Sequence, residues 1–526
     1  MTATPASGTP ARSGIGSAKL IAGGILSSRI AGLVRQKIFA TYFGVSIYAD
    51  AFNAALRMPN VLQNLLGEGT LSASFIPVYS ELLHHGRKEE AGRVAGAVFA
   101  LLVVIAAALS LIGIALAPVL VDIAYPGFEG ERRDLTVLCT RIIFPMAGIL
   151  VLSAWTLGVL NSHRRFFLPY VAPVLWNAAM IAVMLFFGTR AAQRDLLVLV
   201  AWGALVGGAL QFLVQLPAVL RLEREMKVRF TLKMPEVRTI LRNAGPAITG
   251  RGVVQLSGWL DMFLASFMSL GAVAALSYAQ TLYILPVSLF GMSLAAAQLP
   301  ELARERGAAT EVLRSRINGG LRQIALLVVP STIGYLLLGD IVIGALFQGG
   351  EFGEGDMIIV WWILGAYSIG LIASTATRLY SSSFFALHDT RTPARIAILR
   401  VTIAGVIGAA ATLYIRLVDP NFAYWGPVVL AGGAGVSAWV EWTFLRAGLR
   451  ERIAGVGIGR RPLTQLLVAA LLAALIGRGI AWLTPGMNHI LRAVVVLGPY
   501  GVAYFALARL FGFEEAASVV RRALRR

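Results

Sequence analysis

A set of charged and amide side chains stands where hydrocarbon-soluble residues are expected. Arg29 and Arg35 lie inside GGILSSRIAGLVRQKIFATYFG, residues 23–44. The next stretch, YADAFNAALRMPNVLQNLLGEG, carries Asp50, Asn53, Arg57, Asn60 and Asn64 at offsets 0, 3, 7, 10 and 14. At 3.6 residues per turn these fall on one helical face, and Glu68, at offset 18, continues it. Arg251 and Asp261 interrupt a later apolar stretch. A guanidinium stays charged when desolvated and presents a planar fork of donors that matches phosphate oxygens. Arg29, Arg35, Arg57 and Arg251, with the amides of Asn53 and Asn60, are therefore candidate ligands for an anionic, phosphate-bearing substrate. Asp50, Glu68 and Asp261 are candidate gating or charge-balancing groups, able to neutralise the arginines when the site is empty. The same residues could instead form an internal network in which Asp50, Arg29 and the asparagines satisfy one another. Either way, a full-length polar stripe must line a cavity or a helix contact, because facing lipid would be costly.

The elements that must position these residues follow from composition. Of 526 residues, 57% are hydrophobic and 14% charged, against about 25% charged in ordinary soluble domains. Fourteen apolar segments are each long enough to cross a bilayer: 18–43, 48–80, 94–121, 135–161, 170–188, 195–220, 239–267, 271–298, 320–347, 356–386, 394–415, 423–445, 463–484 and 490–511. Residues 1–17 are small and polar and read as a disordered tail. With the N-terminus on one side, 31 of the 46 Lys and Arg fall in segments on that side and six on the other. The positive-inside rule then places both termini in the cytoplasm. The net charge of +19 is accounted for by this asymmetry and requires no nucleic-acid partner. Pro59 and the GEG at 67–69 weaken the second span and give it a place to bend.

Four weak matches recur in order at nearly one offset. Arg29 and Arg251 are 222 residues apart, Tyr48 and Tyr278 230, Pro77 and Pro300 223, and Pro169 and Pro393 224. They indicate two six-span halves, inserted the same way round as a parallel repeat, with a central cationic cavity between them. The expected organisation is a tail at 1–17, an N-terminal lobe at 18–225, a C-terminal lobe at 226–447, and two extra spans with a basic tail at 448–526.

Chemistry that is missing narrows the function. There is no Walker A loop, HExxH, Cys/His cluster or GxSxG. The single cysteine, Cys139, reads as a small buried hydrophobe. The five histidines sit in or near loops, where a solvated role is expected. GEFGEGD, residues 350–356, lacks EF-hand spacing and reads as an exposed loop. A transporter driven by an ion gradient or membrane potential, without a bound cofactor, fits better than an enzyme.

These residues resemble the MurJ (MviN) family of lipid II flippases, within the multidrug/oligosaccharidyl-lipid/polysaccharide exporter superfamily. The strongest likeness is SRIAGLVRQKIFATYFGVSIYADAFNAALRMPNVLQNLLGEGTLSASFIPVYSE at 28–81. LNSHRRFFLPYVAPVLWN at 160–177, GPAITG at 245–250, LFQGGEF at 346–352 and HDTRTPARIAI at 388–398 add to it. The resemblance implies an all-α polytopic fold of fourteen helices, two lobes around a cation-lined cavity, and a groove for a lipid tail formed by the last two spans. It implies lipid II, the undecaprenyl-pyrophosphate-linked peptidoglycan precursor, as substrate, carried from the cytoplasmic to the outer leaflet of the bacterial inner membrane. Membrane lipids and cell-wall synthesis proteins are the implied partners. Arg29 and Arg35 match the family's first-span arginines, Asp50 its second-span aspartate and Glu68 its EG turn. Gln63 stands where an arginine is common, and Gln280 and Thr281 where an Asp-Arg pair is common. Arg57 and Arg251 are candidates for replacement charge, with Asp261 as counterion.

Three readings compete. One is a lipid II flippase. Another is a flippase for a different polyprenyl-linked glycan, or a cation-coupled drug exporter, although arginines suit the latter poorly. The last is a non-transporting scaffold for cell-wall assembly, kept open by the absence of arginines at Gln63 and Thr281.

Overall fold

The computed structural model describes residues 12–295, 298 and 310–516, with side-chain detail from residue 23 onward except at 68, 247 and 249–257. Pro300 of the repeat and the terminal segments 1–11 and 517–526 lie outside the described residues. The described chain is helical, and every one of the fourteen expected segments holds a helix or consecutive helices. Two compact units divide it.

The first unit comprises residues up to Phe43 and Ile47–Met262. Its helices are α1 (Arg12–Phe43), α2 (Ile47–Leu66), α3 (Glu68–His84), α4 (Lys88–Ala124), α5 (Gly130–Ser162), α6 (Phe167–Val171), α7 (Pro173–Phe187), α8 (Gln193–Leu213), α9 (Leu216–Leu222) and most of α10 (Pro235–Ala265). The mostly buried α5 is its axis and packs against α2, α3, α4 and α8. Apolar and small residues such as Ala147, Gly148, Val151 and Ala154 dominate its contact surface, and small residues let membrane helices approach closely. α1 packs instead on α6 and α7. It is helical from the first described residue, Arg12, so residues 12–17 belong to the helix rather than to the expected tail. The second span is broken where GEG stands: α2 ends at Leu66 and α3 starts at Glu68.

His163 departs from the solvated role expected of it. Its Nε2 lies 2.8 Å from Glu223 Oε1 and 2.9 Å from the Tyr79 hydroxyl, which also donates to Glu223. The segment after α9 brings the buried Glu223 over the end of α5, and a buried carboxylate needs such partners.

The second unit holds Gly44–Ser46 and the chain from Phe263. It contains α11 (Ala272–Pro286), α12 (Thr310–Phe347), α13 (Glu354–Ile369), α14 (Leu371–Ala386), α15 (Arg391–Leu417), α16 (Gly426–Arg452), α17 (Arg460–Leu483) and α18 (His489–Leu510). Here α12 is the axis and contacts α13, α14, α17 and α18, so the two extra spans pack onto this unit. GEFGEGD is less open than expected. Phe352 is buried, and Asp356 accepts the backbone N–H of Val45 at 3.0 Å.

Among the described residues, ten helical segments are long and apolar enough to cross a membrane, and the pair α13–α14, bent by 42°, makes an eleventh. The three expected spans outside that set are 18–43, 48–80 and 239–267. They carry Arg29, Arg35, Asp50, Asn53, Arg57, Arg251 and Asp261. The candidate residues singled out from sequence, Glu68 apart, thus lie on α1, α2 and α10. Elsewhere apolar side chains face outward, as Leu111, Leu116 and Ile123 do on α4 and Leu471, Leu475 and Ile476 on α17, which suits a lipid-facing surface.

Candidate functional site

The first unit contains a cavity of about 470 Å³. Four elements build its polar wall. α1 contributes Ser28 and Arg29, α2 contributes Asn60, Gln63 and Asn64, α5 contributes Ser153, and the α8–α9 segment contributes Gln211 and Gln215. Tyr170 of α6 and Trp176 of α7 supply an aromatic side. The described lining carries a guanidinium, amides and hydroxyls and no carboxylate.

One part of this wall is fixed by a buried hydrogen-bond network. Gln215 Nε2 donates to Ser153 Oγ at 2.8 Å, and Gln211 Nε2 reaches the same oxygen at 3.3 Å. Thr156 Oγ1 donates to Gln215 Oε1 at 3.0 Å. Gln215 also donates to the Gln211 carbonyl at 2.8 Å. These groups are satisfied by the fold itself, so they hold the wall's shape. Trp176 is oriented by its indole N–H, which donates to the Ala204 carbonyl at 3.1 Å. Its ring faces the Arg35 guanidinium, whose carbon lies 5.2 Å from the ring centroid. Arg35, half-buried beside Met180, thus stands against the outer side of a residue that lines the cavity, while Arg29 lines it directly.

The second-span stripe divides. Asn60 and Asn64 reach the cavity, and so does Gln63, at the position where the resemblance predicts a charge. Asn53 bonds the Ala49 carbonyl of its own helix at 2.8 Å. Asp50 is 0% exposed and accepts from Arg132 Nη1 at 3.3 Å. Asp50 meets Arg132 because α5 packs along α2 and carries this residue in its first turns. The Arg132 guanidinium is held further by the Gly127 carbonyl at 2.7 Å and lies over the Phe128 ring at 4.1 Å.

Arg57 donates to the Gly258 carbonyl of α10 at 3.1 Å. A Cβ at Gly258 would lie 2.3 Å from Arg57 Nη2, so a glycine is what lets this guanidinium meet the α10 backbone. Arg57 therefore ties α2 to α10, seven residues from Arg251. The backbone of Arg251 lies in α10, but its side chain and that of Glu68 fall outside the described detail. Asp261 is half-buried on α10, three residues past Gly258. In the second unit, Gln280 donates to the Tyr367 hydroxyl at 3.0 Å, and Thr281 to the Ser277 carbonyl at 2.9 Å. Both side chains are neutral, one bonded to a side-chain hydroxyl and the other to the backbone of its own helix.

Sequence reading missed Ser153, Gln211, Gln215, Tyr170 and Trp176. A signal existed: Gln211 and Gln215, one turn apart at the end of an apolar span.

The chain resembles known proteins along nearly its full length. A family model described as lipid II flippase MurJ matches residues 39–511. The lipid II flippase MurJ of Burkholderia cenocepacia is 30% identical over 516 residues, covering 94% of this chain and 97% of that protein. A probable lipid II flippase MurJ of Haemophilus influenzae is 30% identical over 482 residues, covering 88% and 91%. A solved lipid II flippase MurJ, in an inward closed conformation, superposes with a TM-score of 0.74 at 24% identity, covering 97% of this chain and all of that one. An inward-facing multidrug resistance transporter of the MATE family superposes with a TM-score of 0.65 at 16% identity, covering 81% and 96%. With a polar cavity walled by α1, α2, α5 and α8 inside a multi-pass helical membrane protein, and with this match, the chain belongs to the lipid II flippase MurJ family.

Proposed function

We propose that this protein flips lipid II, moving the undecaprenyl-pyrophosphate-linked peptidoglycan precursor from the cytoplasmic to the outer leaflet of the bacterial inner membrane by alternating access. Both termini are then cytoplasmic. A membrane potential or ion gradient drives the cycle, since no nucleotide-binding loop is present in the sequence. The single observation that carries the reading is the cavity containing Arg29, amides and hydroxyls within a unit of membrane-spanning helices. A diphosphate and its sugars are stripped of water on entering a bilayer, and a buried anion needs a charge partner and donors. Arg29 supplies the charge. Asn60, Gln63, Asn64 and Gln211 supply neutral donors suited to sugar hydroxyls, and Tyr170 and Trp176 an apolar face. A volume of about 470 Å³ is in the range of small-ligand sites. It suits the diphosphate and part of the glycan, with the polyprenyl chain left in lipid. Arg35 acts from behind Trp176, and Arg57 holds α2 to α10 during the cycle. Cell-wall synthesis proteins that make or consume the lipid are the expected partners.

The test is complementation. A bacterial host depleted of its own lipid II flippase receives the wild-type chain or Arg29→Ala, with membrane levels of each checked by immunoblot. Loss of a hydrogen bond to a charged group weakens a site by about tenfold to a hundredfold. Wild-type rescue that fails with Arg29→Ala supports the reading. Equal rescue by both removes Arg29 from the site. No rescue by a well-inserted wild type favours another polyprenyl-linked glycan or a non-transporting scaffold.

A further inference from the structure

The second unit carries another cavity, also of about 470 Å³, at the corner where α16 ends and α17 begins. Its wall is of two kinds. Arg446, Arg450 and Arg460 supply positive charge, and Ile372, Trp439, Trp442 and Leu463 supply apolar surface. No carboxylate lines it among the described residues. We infer that this corner binds the phosphate headgroup of an anionic bilayer lipid, a site separate from the cavity of the first unit and independent of the substrate carried there.

The arginines are placed and left short of partners. Arg446 lies over the Trp442 ring, 4.8 Å from its centroid, and its Nε is buried with no hydrogen bond among the described residues. Arg450 is anchored through Nε to the Val456 carbonyl at 2.8 Å, which leaves its two terminal amino groups for another acceptor. A buried guanidinium nitrogen without an acceptor is costly, and three neighbouring cations repel one another. A phosphate relieves both.

The loop beneath them is built rather than loose. The Gly457 N–H donates to Asn318 Oδ1 at 2.8 Å, and Asn318 Nδ2 donates to the Gly455 carbonyl at 3.2 Å. At Gly457, φ is +142°, and a Cβ there would lie 2.9 Å from Arg446 Nε. Glycine thus lets the guanidinium rest on the loop. The loop leads into α17, 24 residues long, whose first turn holds no acidic residue and whose N-cap Gly459 makes no side-chain hydrogen bond. The backbone N–H groups of Arg460 and Arg461, ahead of Pro462, are further anion ligands.

Lipid, rather than soluble phosphate, follows from the setting. α16 and α17 are both long and apolar enough to span a membrane, so their junction lies at a bilayer surface where lipid phosphates sit. The Trp439 indole N–H donates to the Ile369 carbonyl at 2.8 Å. Tryptophans held at that level are typical of the headgroup region. An acyl chain leaving a phosphate bound here has Ile372, Trp442 and Leu463 to rest on. The corner also lies on the face rich in Lys and Arg, which attracts anionic lipids.

The experiment uses the full chain purified in detergent, with binding of palmitoyl-oleoyl phosphatidylglycerol followed by native mass spectrometry. Wild type is compared with Arg446→Gln/Arg450→Gln, with Gly457→Ala, and with Arg509→Gln as a basic control on α18. The expected result is one retained lipid, bound about tenfold or more weakly in the double variant, weakened in Gly457→Ala, and unchanged in Arg509→Gln. Phosphatidylcholine should bind less well than phosphatidylglycerol. Gly457→Ala keeps every charge, so it supports the assignment even if the double variant fails to fold. Equal retention by wild type and Gly457→Ala overturns the assignment. So does displacement of the lipid by inorganic phosphate at equimolar concentration, which would make this a site for a free anion. Preferential displacement by undecaprenyl diphosphate would transfer the corner to the transported lipid and equally overturn it.

Discussion

Removing the Asp50 carboxylate should destabilise the first unit severely, and removing Arg132 with it should restore most of the loss. Asp50 is 0% exposed and the Arg132 side chain 7% exposed, with 3.3 Å between Oδ2 and Nη1. At that separation and an effective dielectric constant near 20, the attraction is about 5 kcal/mol. Asp50→Asn abolishes the charge but keeps an acceptor, worth about 1 kcal/mol net. The Gly127 carbonyl and the Phe128 ring still hold the guanidinium, which reduces the penalty further. A loss of about 3 kcal/mol is expected for Asp50→Asn, at the lower edge of the range for breaking a buried pair. The pair Asp50→Leu/Arg132→Met removes both desolvated charges and keeps the volumes close. It should fall within about 1–2 kcal/mol of wild type, because apolar replacements of buried pairs are often neutral. The assay is a double-mutant cycle on reversible denaturant unfolding in mixed micelles, using the two single variants Asp50→Leu and Arg132→Met. A coupling energy below about 0.5 kcal/mol, the level at which distant sites simply add, would refute a direct charge pair. It would return Asp50 to the gating role expected of it from sequence.

Gly258→Ala should force Arg57 off the α10 carbonyl, because the added carbon would lie 2.3 Å from Nη2. The lost hydrogen bond costs about 1–2 kcal/mol, and lipid II transport in vesicles should fall with wild-type membrane levels retained. Gln215→Leu removes a donor to Ser153 Oγ and to the Gln211 carbonyl and an acceptor for Thr156 Oγ1. It should lower the thermal midpoint by an amount equivalent to about 1–3 kcal/mol, whereas the cavity-facing Asn64→Leu should spare stability and reduce transport. At the loop before α15, Asp389 is held well below the usual carboxylate range. The cause is first the Thr392 N–H and hydroxyl, then Arg452. A depressed carboxyl stabilises the fold above its unfolded pKa of about 4 and loses that contribution as pH falls toward its folded value. The thermal midpoint of wild type should therefore fall more steeply below about pH 4 than that of Asp389→Asn.

Hydropathy and periodicity made the helices legible, since each apolar segment corresponds to a helix or a broken pair. The site lies where the apolar segments carry charges and amides, Arg29 on α1 and Arg57 and Asn60 on α2. What a helical wheel cannot decide is which neighbour meets each residue along the face. Asp50 and Asn60 share a stripe, yet Asp50 is buried against Arg132 of α5, while Asn60 opens onto the cavity. Arg132 was invisible for the same reason: loop counting treats a charge at a helix start as solvated, and only packing shows that it reaches back to an aspartate 82 residues away. Gln211 and Gln215 were hidden by neutrality, since an amide adds little to a charge census, although a buried amide demands partners as strictly as a charge does. Gln63 gives the cavity wall a neutral donor, and Arg29 is the guanidinium that lines it among the described residues, so under the proposed function anion binding there rests on Arg29. Restoring the charge by Gln63→Arg should therefore rescue transport in an Arg29→Gln background. No rescue in a variant that inserts normally would show that the position of the charge on α1, and not the net charge of the cavity, decides function.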